Sequence, residues 1–307
     1  MDRPLISYVV TTYNIEKYVE ESVKCAFAQT YSPLEIVLSD DCSTDQTFEI
    51  MKRMADEYQG PHKIVLNRNV KNMGITKHMN KAYIELANGE IIIAAHGDDI
   101  SKPERTEKSF QYLEKNPEVK AVSFSLKAFD EKGNILKKHS AMVGEEHIYT
   151  FQNGGNIPAP SRAFYKTVMT TFGILNNDCP TEDELISFRA LLLGKTAFLP
   201  ECLVYYRKHS MSSSNPENFD KFPLDKILKQ QDMDMKKAVE MGLITEEKRV
   251  QVYQRLMVQK EIRERYRKYF SKRRIIDLVN LIFFPKVSMR LKLHYIKEHM
   301  EYIKNNE

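Results

Sequence analysis

Cysteine pairs, glycine-rich loops and long apolar runs are all missing from this 307-residue chain, and each absence removes a class of protein. The four cysteines, Cys25, Cys42, Cys179 and Cys202, show neither Cys-x-x-Cys spacing nor a disulfide ladder. Zinc-ribbon and disulfide-stapled scaffolds are thereby excluded, and reduced, mostly buried thiols in a cytosolic protein are expected. No glycine-rich, lysine-bearing phosphate loop follows the first strand-like run, which argues against a sugar-1-phosphate nucleotidyltransferase. That first run, Leu5 to Val10, stops at Thr11-Thr12 and is too short for a membrane span or a signal-peptide core. Internal repeats and low-complexity segments are absent. With 42% hydrophobic residues, the chain can bury a substantial core, so disorder is excluded as well.

Charge is unevenly distributed. The net +4 conceals a mildly acidic body, residues 1–225, with 26 Lys+Arg against 31 Asp+Glu. Residues 226–307 hold 20 against 11. The basic character belongs to the tail alone, which is not the footprint of a nucleic-acid-binding core.

The first half alternates the two hydrophobic periods. Ile6, Tyr8, Val9 and Val10 predict a buried strand. Ile15, Tyr18, Val19, Ser22, Val23, Ala26 and Phe27 then line one helical face. A strand over Glu35–Ser39 leads to a helix capped by Ser43 or Thr44, with Phe48, Met51, Met54, Ala55 and Tyr58 turned inward. Lys63–Leu66, a helix carrying Met79, Ala82, Tyr83 and Leu86 and closed by Asn88-Gly89, and Glu90–Ala95 continue the alternation. This order predicts an α/β protein with a mostly parallel sheet and right-handed crossovers. Further on, the pattern predicts a helix from Pro103 to about Leu113, a strand over Ala121–Leu126, and a hairpin turn at Lys132-Gly133-Asn134. A loop at Gly154-Gly155 with Pro158 and Pro160, a helix capped by Thr181 and ending near Gly194, and strands at Ala197–Leu199 and Leu203–Tyr206 follow. From Pro223 the chain is helical and charged. The expected division is 1–125, 126–222 and 223–307.

Three acidic sites punctuate this pattern. Asp40-Asp41 follows Ile36-Val37-Leu38, Asp98-Asp99 follows the apolar run ending at Ala95, and Glu182-Asp183-Glu184 opens a helix. Ligands of open α/β sheets bind beyond the carboxyl ends of the strands, so the first two pairs converge on one crevice. Plain structural readings exist for each. Asp40-Asp41 with Ser43 suits a helix-capping loop, and Glu182-Asp183-Glu184 suits a helix N-terminus. Asp98-Asp99 is harder to explain structurally, because adjacent carboxylates repel unless a cation is present. His96 reads as a packed or hydrogen-bonding histidine, and His209 as either ligand or loop.

Taken as a string, Pro4 to Asn14, then Ala28-Gln29-Thr30-Tyr31, then Ser39-Asp40-Asp41-Cys42-Ser43-Thr44-Asp45 resembles the opening of family 2 glycosyltransferases. The resemblance covers roughly the first 125 residues densely and resumes over residues 181–214. It implies the GT-A fold, a Rossmann-like open mixed sheet flanked by helices, here with a C-terminal helical extension. It also implies inverting transfer from a nucleotide sugar, most simply a UDP-sugar, to a glycan or lipid-linked acceptor. By this likeness Thr11 and Tyr13 line the base pocket and Asp41 accepts from the uracil imide, as an acceptor-only carboxylate can. Asp98 holds Mn²⁺ or Mg²⁺ against the phosphates and thereby binds the nucleotide, and Asp99 faces the donor sugar. Hard oxygen ligands suit either ion. Asp183, with Glu182, supplies the general base, and Tyr205-Tyr206-Arg207-Lys208-His209-Ser210 resembles an element whose histidine, here His209, approaches the metal. The chain departs from the pattern at His96, where the first aspartate of the metal motif is usual, and at Met79, where arginine is common. Lys77 is the substitute for that arginine at the diphosphate. The competing reading is a non-catalytic nucleotide-sugar or glycan-binding relative whose metal site has degraded.

The tail carries a basic, aromatic segment, Lys260 to Arg274 with Tyr266, Tyr269 and Phe270, and then Ile275 to Phe284. Its apolar part is about half a spanning helix. Adsorption to an anionic membrane is the expectation, which would place a cytoplasmic protein peripherally on the inner face of the membrane. Packing on the catalytic domain or pairing into a homo-oligomer is the alternative.

Overall fold

The computed structural model describes residues 3–139, 144–146, 159–176, 179, 182–210 and 223–304. The chain runs β1 (Ile6–Thr12), α1 (Val19–Phe27), β2 (Leu34–Asp40), α2 (Thr47–Glu57), β3 (Lys63–Arg68), α3 (Ile75–Asn80, continued by a π-helical turn over Lys81–Leu86), β4 (Ile91–His96), β5 (Ile100–Ser101), α4 (Arg105–Lys115) and β6 (Val119–Asp130). It continues with β7 (Ile135–His139), β8 (Gly144–Glu146), β9 (Ala163–Tyr165), α5 (Thr167–Thr170), α6 (Asp183–Leu193), β10 (Lys195–Lys208), α7 (Leu224–Glu240), α8 (Glu246–Lys272), α9 (Ile275–Ile282) and α10 (Met289–Lys304). The sheet order is β3-β2-β1-β4-β9-β6-β10-β5, with β7 added to β6 and β8 to β10. Strands β3, β2, β1 and β4 are mutually parallel. Strand β9 enters antiparallel between β4 and β6, so β6 and its parallel partner β10 return to the direction of β4.

Both faces of this sheet are covered, which is why its strands read as continuous apolar runs rather than alternating ones. On one face Ile6, Tyr8, Val10, Ile36, Leu38 and Ile93 pack against Val19, Val23 and Ala26 of α1 and Met51 of α2. On the other, Val9, Val37, Ile92 and Ala94 meet Met79 and Tyr83, and Leu185 and Ile186 of α6. Each fully buried aliphatic side chain contributes roughly 1.5–3 kcal/mol. Parallel register then fixes the functional edge. Thr12 stands opposite Asp40 and Thr11 opposite His96, so β1, β2 and β4 all end at one level. Helix α6 leads through Gly194 directly into β10 and packs on β6 and β10. Its N-terminus therefore lies at that same edge.

Several local expectations are corrected. The two strands anticipated at Ala197–Leu199 and Leu203–Tyr206 are one strand, β10, with register irregularities between Leu199 and Val204. Pro200 supplies no N–H there, and the ladder bulges past it. Helix α2 is not capped by Ser43 or Thr44. Ser43 donates to Asp40 instead, and Asp45 Oδ1 accepts from the Thr47 amide at 3.0 Å. Gly89 is no C-terminal cap, since Ala87 is already extended. A side chain at Gly89 would lie 2.5 Å from the Ser7 amide and 2.6 Å from the Ile6 carbonyl carbon, so close backbone approach selects glycine here. The expected cap at Thr181 and the loop at Gly154, Gly155 and Pro158 lie outside the described residues. Among the described residues no helix is long and apolar enough to cross a membrane.

The C-terminal helices make two further cores. Leu228 and Met235 of α7 and Val252 and Leu256 of α8 pack on Phe188 and Leu191 of α6. Tyr269, Leu278, Leu281, Val287 and Tyr295 form a separate small core among α8, α9 and α10. Tyr266 stacks on Tyr295 at 5.1 Å. The tail aromatics Tyr266 and Tyr269 are thus turned inward, contrary to a surface-binding role for them.

Candidate active site

The two aspartates after β2 have divided their work. Asp40 is fully buried. It accepts from Thr12 Oγ1 at 3.1 Å and from the Ser43 amide at 2.8 Å, a structural job that closes the β2–α2 loop. Asp41 faces the other way. Its Oδ1 accepts from Asn69 Nδ2 at 2.8 Å and the Met73 amide at 2.9 Å, and its Oδ2 accepts from the Gly74 amide at 3.0 Å. Asp41 therefore anchors the loop that starts α3, and its own amide is tied to the Thr12 carbonyl at 2.9 Å. Beside it, Thr11 is buried while the Tyr13 ring is 46% exposed at the strand's end. Lys77 is exposed on the first turn of α3 and Met79 is buried in the core. The arginine-like role is thus open to Lys77 and closed to Met79.

The turn after β4 brings three potential ligands together. One ligand atom from each of His96, Asp98 and Asp99 lies within 4.8 Å of the other two. Gly97 permits this turn. A Cβ there would lie 2.5 Å from both Ile15 Cδ1 and Thr12 Cγ2, and its amide is held by the Thr11 carbonyl at 3.0 Å. Asp98 Oδ2 lies 2.9 Å from His209 Nε2, and His96 Nδ1 lies 3.9 Å from Asp99 Oδ2. Asp99 Oδ1 accepts from the Arg207 amide at 3.0 Å, while buried Asp99 Oδ2 has no hydrogen-bond partner among the described residues. Burial, reinforced by the neighbouring Asp98 charge, pushes Asp99 well above the ordinary carboxylate range. Burial acts the same way on Asp98, but the His209 hydrogen bond and the charges of His96 and His209 outweigh it and hold that carboxyl low. A buried oxygen without a partner, beside a second carboxylate and two imidazoles, is a donor set that fits Mn²⁺ or Mg²⁺.

Arg207 holds this cluster in place, a role the sequence reading did not assign. Its Nε donates to the Asp98 carbonyl at 3.0 Å, its Nη2 pairs with Glu21, and its guanidinium lies between the rings of Phe129 (4.5 Å) and Tyr18 (4.8 Å). The Tyr18 ring also packs against His209 at 4.9 Å. Beneath them Arg105 is fully buried, donating to Ser101 Oγ at 2.9 Å and to the Ala94 carbonyl. The sequence signal for Arg207 was present, since it sits in the same six-residue string as His209.

The third acidic site splits into three separate roles. Glu182 is buried, and burial, the Asp183 charge and a hydrogen bond with Asp183 push it well above the ordinary range. Asp183 beside it is half-buried. Glu184 leaves the site altogether and pairs with Arg263 of α8 at 2.8 and 3.0 Å. Arg189, which accompanied the Glu-Asp pair in the sequence string, is fully buried and forks onto Asp234 of α7 at 2.7 and 2.9 Å. Its remaining nitrogen reaches the Gly173 carbonyl at 2.7 Å. The segment before α6 is fastened to α3, because Asn80 exchanges hydrogen bonds with the Leu175 backbone at 2.8 and 2.9 Å and Thr76 donates to the Cys179 carbonyl. One continuous set of contacts thus runs from Asp41 through α3 to the Glu182-Asp183 end of α6.

Carboxylates from β2, β4 and α6 at one sheet edge are what a nucleotide-sugar site requires. Comparison with known proteins decides the family, for the sequence model of Glycosyl transferase family 2 matches residues 7–172. The chain belongs to glycosyltransferase family 2. It is 26% identical to an uncharacterized glycosyltransferase of Haemophilus influenzae across 97% of this chain and 92% of that protein. It is 38% identical to the glycosyltransferase MJ1057 of Methanocaldococcus jannaschii across 45% of this chain, but spans only 47% of that relative. Among solved structures, S. aureus TarS 1-349 in complex with UDP-GlcNAc matches with a TM-score of 0.67 at 18% identity, over 90% of this chain and 78% of that one. The mannosyltransferase PcManGT of Pyrobaculum calidifontis, in complex with GDP-Man and Mn²⁺, matches with a TM-score of 0.58 at 16% identity, over 93% and 77%. At such identities the likeness shows the fold, GT-A, with a helical C-terminal region, as expected for this glycosyltransferase.

Proposed function

We propose that this glycosyltransferase moves a sugar from a nucleotide diphosphate sugar, a UDP-sugar, to a hydroxyl of a glycan or lipid-linked acceptor in one inverting displacement. The observation that carries the reading is the His96, Asp98 and Asp99 group, with the buried Asp99 Oδ2 that has no hydrogen-bond partner among the described residues, near the edge where Asp41 and Asp183 also stand. The ligands of the two solved neighbours, UDP-GlcNAc in one and GDP-Man with Mn²⁺ in the other, support a nucleotide sugar and a divalent cation. Asp98, with His209 and the neighbouring His96 and Asp99, would hold Mn²⁺ or Mg²⁺. Such an ion, when bound, offsets negative charge on a departing diphosphate.

The chain's own groups do the rest. The exposed Tyr13 ring stacks on the base beside Thr11, Asp41 accepts from the imide, and Lys77 approaches the diphosphate from α3. Asp99 orients the donor sugar. Asp183 takes the acceptor proton as the hydroxyl attacks, where positioning outweighs basicity. Glu182, hydrogen-bonded to Asp183, fixes that carboxylate toward the acceptor. The protein acts in the cytoplasm, peripherally on the inner face of the membrane, where a lipid-linked acceptor is presented.

The test is transfer from UDP-sugars to a panel of glycan and lipid-linked acceptors, with the anomeric configuration of the product read by NMR. Inversion, abolished by Asp183→Asn and by Asp98→Asn in proteins with unchanged circular dichroism, is expected. Transfer that survives both substitutions, or that retains configuration, contradicts the reading. UDP-sugar binding with no transfer across the panel returns the non-catalytic alternative.

A further inference from the structure

Helices α9 and α10 each bury one side in the small core around Tyr269, Leu281 and Tyr295 and leave an apolar stripe on the other. On α10 the stripe is Met289, Leu293, Ile296, Met300 and Ile303, all exposed, with Leu293 at 60% and Met300 at 65%. Spaced four, three, four and three residues apart, these side chains fall within about 80° of one another at the helical period of 100° per residue. The same geometry places Lys297 and Lys304 along one border of the stripe and Lys292 along the other. Glu298 is turned toward the core, where it accepts from Tyr266 and Arg273. On α9, Ile275, Ile276, Val279 and Phe283 are exposed, Phe283 at 76%, while Asp277 is buried beneath Arg274 and Lys268. Residues 268–304 hold nine Lys+Arg against three Asp+Glu.

From this surface we infer that α9 and α10 lie in the headgroup region of an anionic lipid bilayer, with the two apolar stripes inserted and the bordering lysines on the lipid phosphates. Charge decides the occupant. A second copy would bring an equal excess of positive charge against the first, whereas an anionic headgroup layer offers the complement. On α10 Glu298 is turned inward and the exposed Glu301 sits 3.8 Å from Lys297, so a surplus of lysines still borders the apolar side. Such a helix adsorbs in the interface plane rather than spanning it. The role falls to α9 and α10, not to the basic aromatic segment of α8. Lys260 and Arg263 of α8 are engaged with Asp225 and Glu184, and Tyr266 and Tyr269 are in the small core. This deepens the peripheral placement proposed above but stands apart from the transfer chemistry, since vesicle binding requires no nucleotide.

Sedimentation with phosphatidylcholine vesicles containing about 30 mol% phosphatidylglycerol, compared with pure phosphatidylcholine, tests it on the full chain. The partition coefficient is expected to be at least about tenfold higher on the anionic vesicles, and to fall about tenfold between roughly 0.1 M and 0.5 M salt as the charges are screened. Leu293→Glu/Met300→Glu alters only exposed positions, so its thermal melt stays that of the parent while vesicle binding falls about tenfold or more. Lys297→Glu/Lys304→Glu reproduces the loss on anionic vesicles. Equal partitioning onto neutral and anionic vesicles, or binding untouched by both double variants, overturns the inference. So does a lipid-free dimer by light scattering that Leu293→Glu/Met300→Glu converts to monomer in a protein that binds no vesicle.

Discussion

The fork between Arg189 and Asp234 makes the sharpest stability prediction. Arg189 is 0% exposed and Asp234 2%, and their two hydrogen bonds are a buried tie between α6, which Glu182 and Asp183 open, and the C-terminal extension. Asp234→Ala leaves a guanidinium in the core with, among the described residues, the Gly173 carbonyl and the Phe172 ring beside it. Removing one partner of such a pair costs about 3–5 kcal/mol, because the stranded charge cannot be hydrated. At about 2.1 cal/mol/K per residue, 307 residues give an unfolding entropy near 0.65 kcal/mol/K, so Tm should fall by roughly 5–8 °C. Urea titration followed by circular dichroism measures the difference. Arg189→Met/Asp234→Leu, which removes both charges, should recover most of it, since an ion pair replaced by packed apolar groups is often neutral. A loss below about 1 kcal/mol for Asp234→Ala, or a double variant as weak as the single, would refute the reasoning that this charge is dry and singly compensated.

Other consequences can be checked directly. Glu182 has its pKa raised in the folded state, so the stability it contributes is fully present below the unfolded value near 4.3 and is lost as pH rises through the folded one. Glu182→Gln keeps the neutral form, so its stability relative to the parent should improve as pH rises above the unfolded value, and a flat difference would contradict the assignment. Gly97→Ala forces a Cβ against Ile15 and Thr12 at 2.5 Å and should cost about 1–3 kcal/mol in denaturant titration while displacing Asp98 and weakening cation binding. Arg207→Met should leave the protein folded yet lower Mn²⁺ affinity, read by electron paramagnetic resonance of the free ion, because the Asp98 carbonyl and Glu21 lose their shared donor.

Much of this fold was legible because local pattern and register agree. Ile36–Leu38 and Ile91–Ala95 are uniformly apolar shortly before their acids, and a parallel sheet buried on both faces favours that pattern. The edge on which Asp41 and Asp98 meet followed from it. What escaped depended on contacts distant in sequence. Strand β9 is three residues long, and only pairing with β4 and β6 makes Ala163–Tyr165 a strand. His96 reads alone as a packed histidine, and only the turn at Gly97 sets it beside Asp98 and Asp99. Likewise Glu184 looks equivalent to Glu182 and Asp183 in the string, but the helical period carries it round to Arg263. The aromatics of α8 were read as surface because their partners, α9 and α10, declare themselves only once the chain turns back after Arg273 and Pro285.

Cation-assisted donor binding depends on one group of donors just after β4. Calorimetric titration of the full chain with UDP, with and without Mn²⁺, measures that group most directly. Binding that strengthens about tenfold or more with Mn²⁺, a coupling of about 1.4 kcal/mol, and that loses this enhancement in Asp98→Asn is the predicted result. UDP binding indifferent to Mn²⁺, or an enhancement that persists in Asp98→Asn, would contradict it.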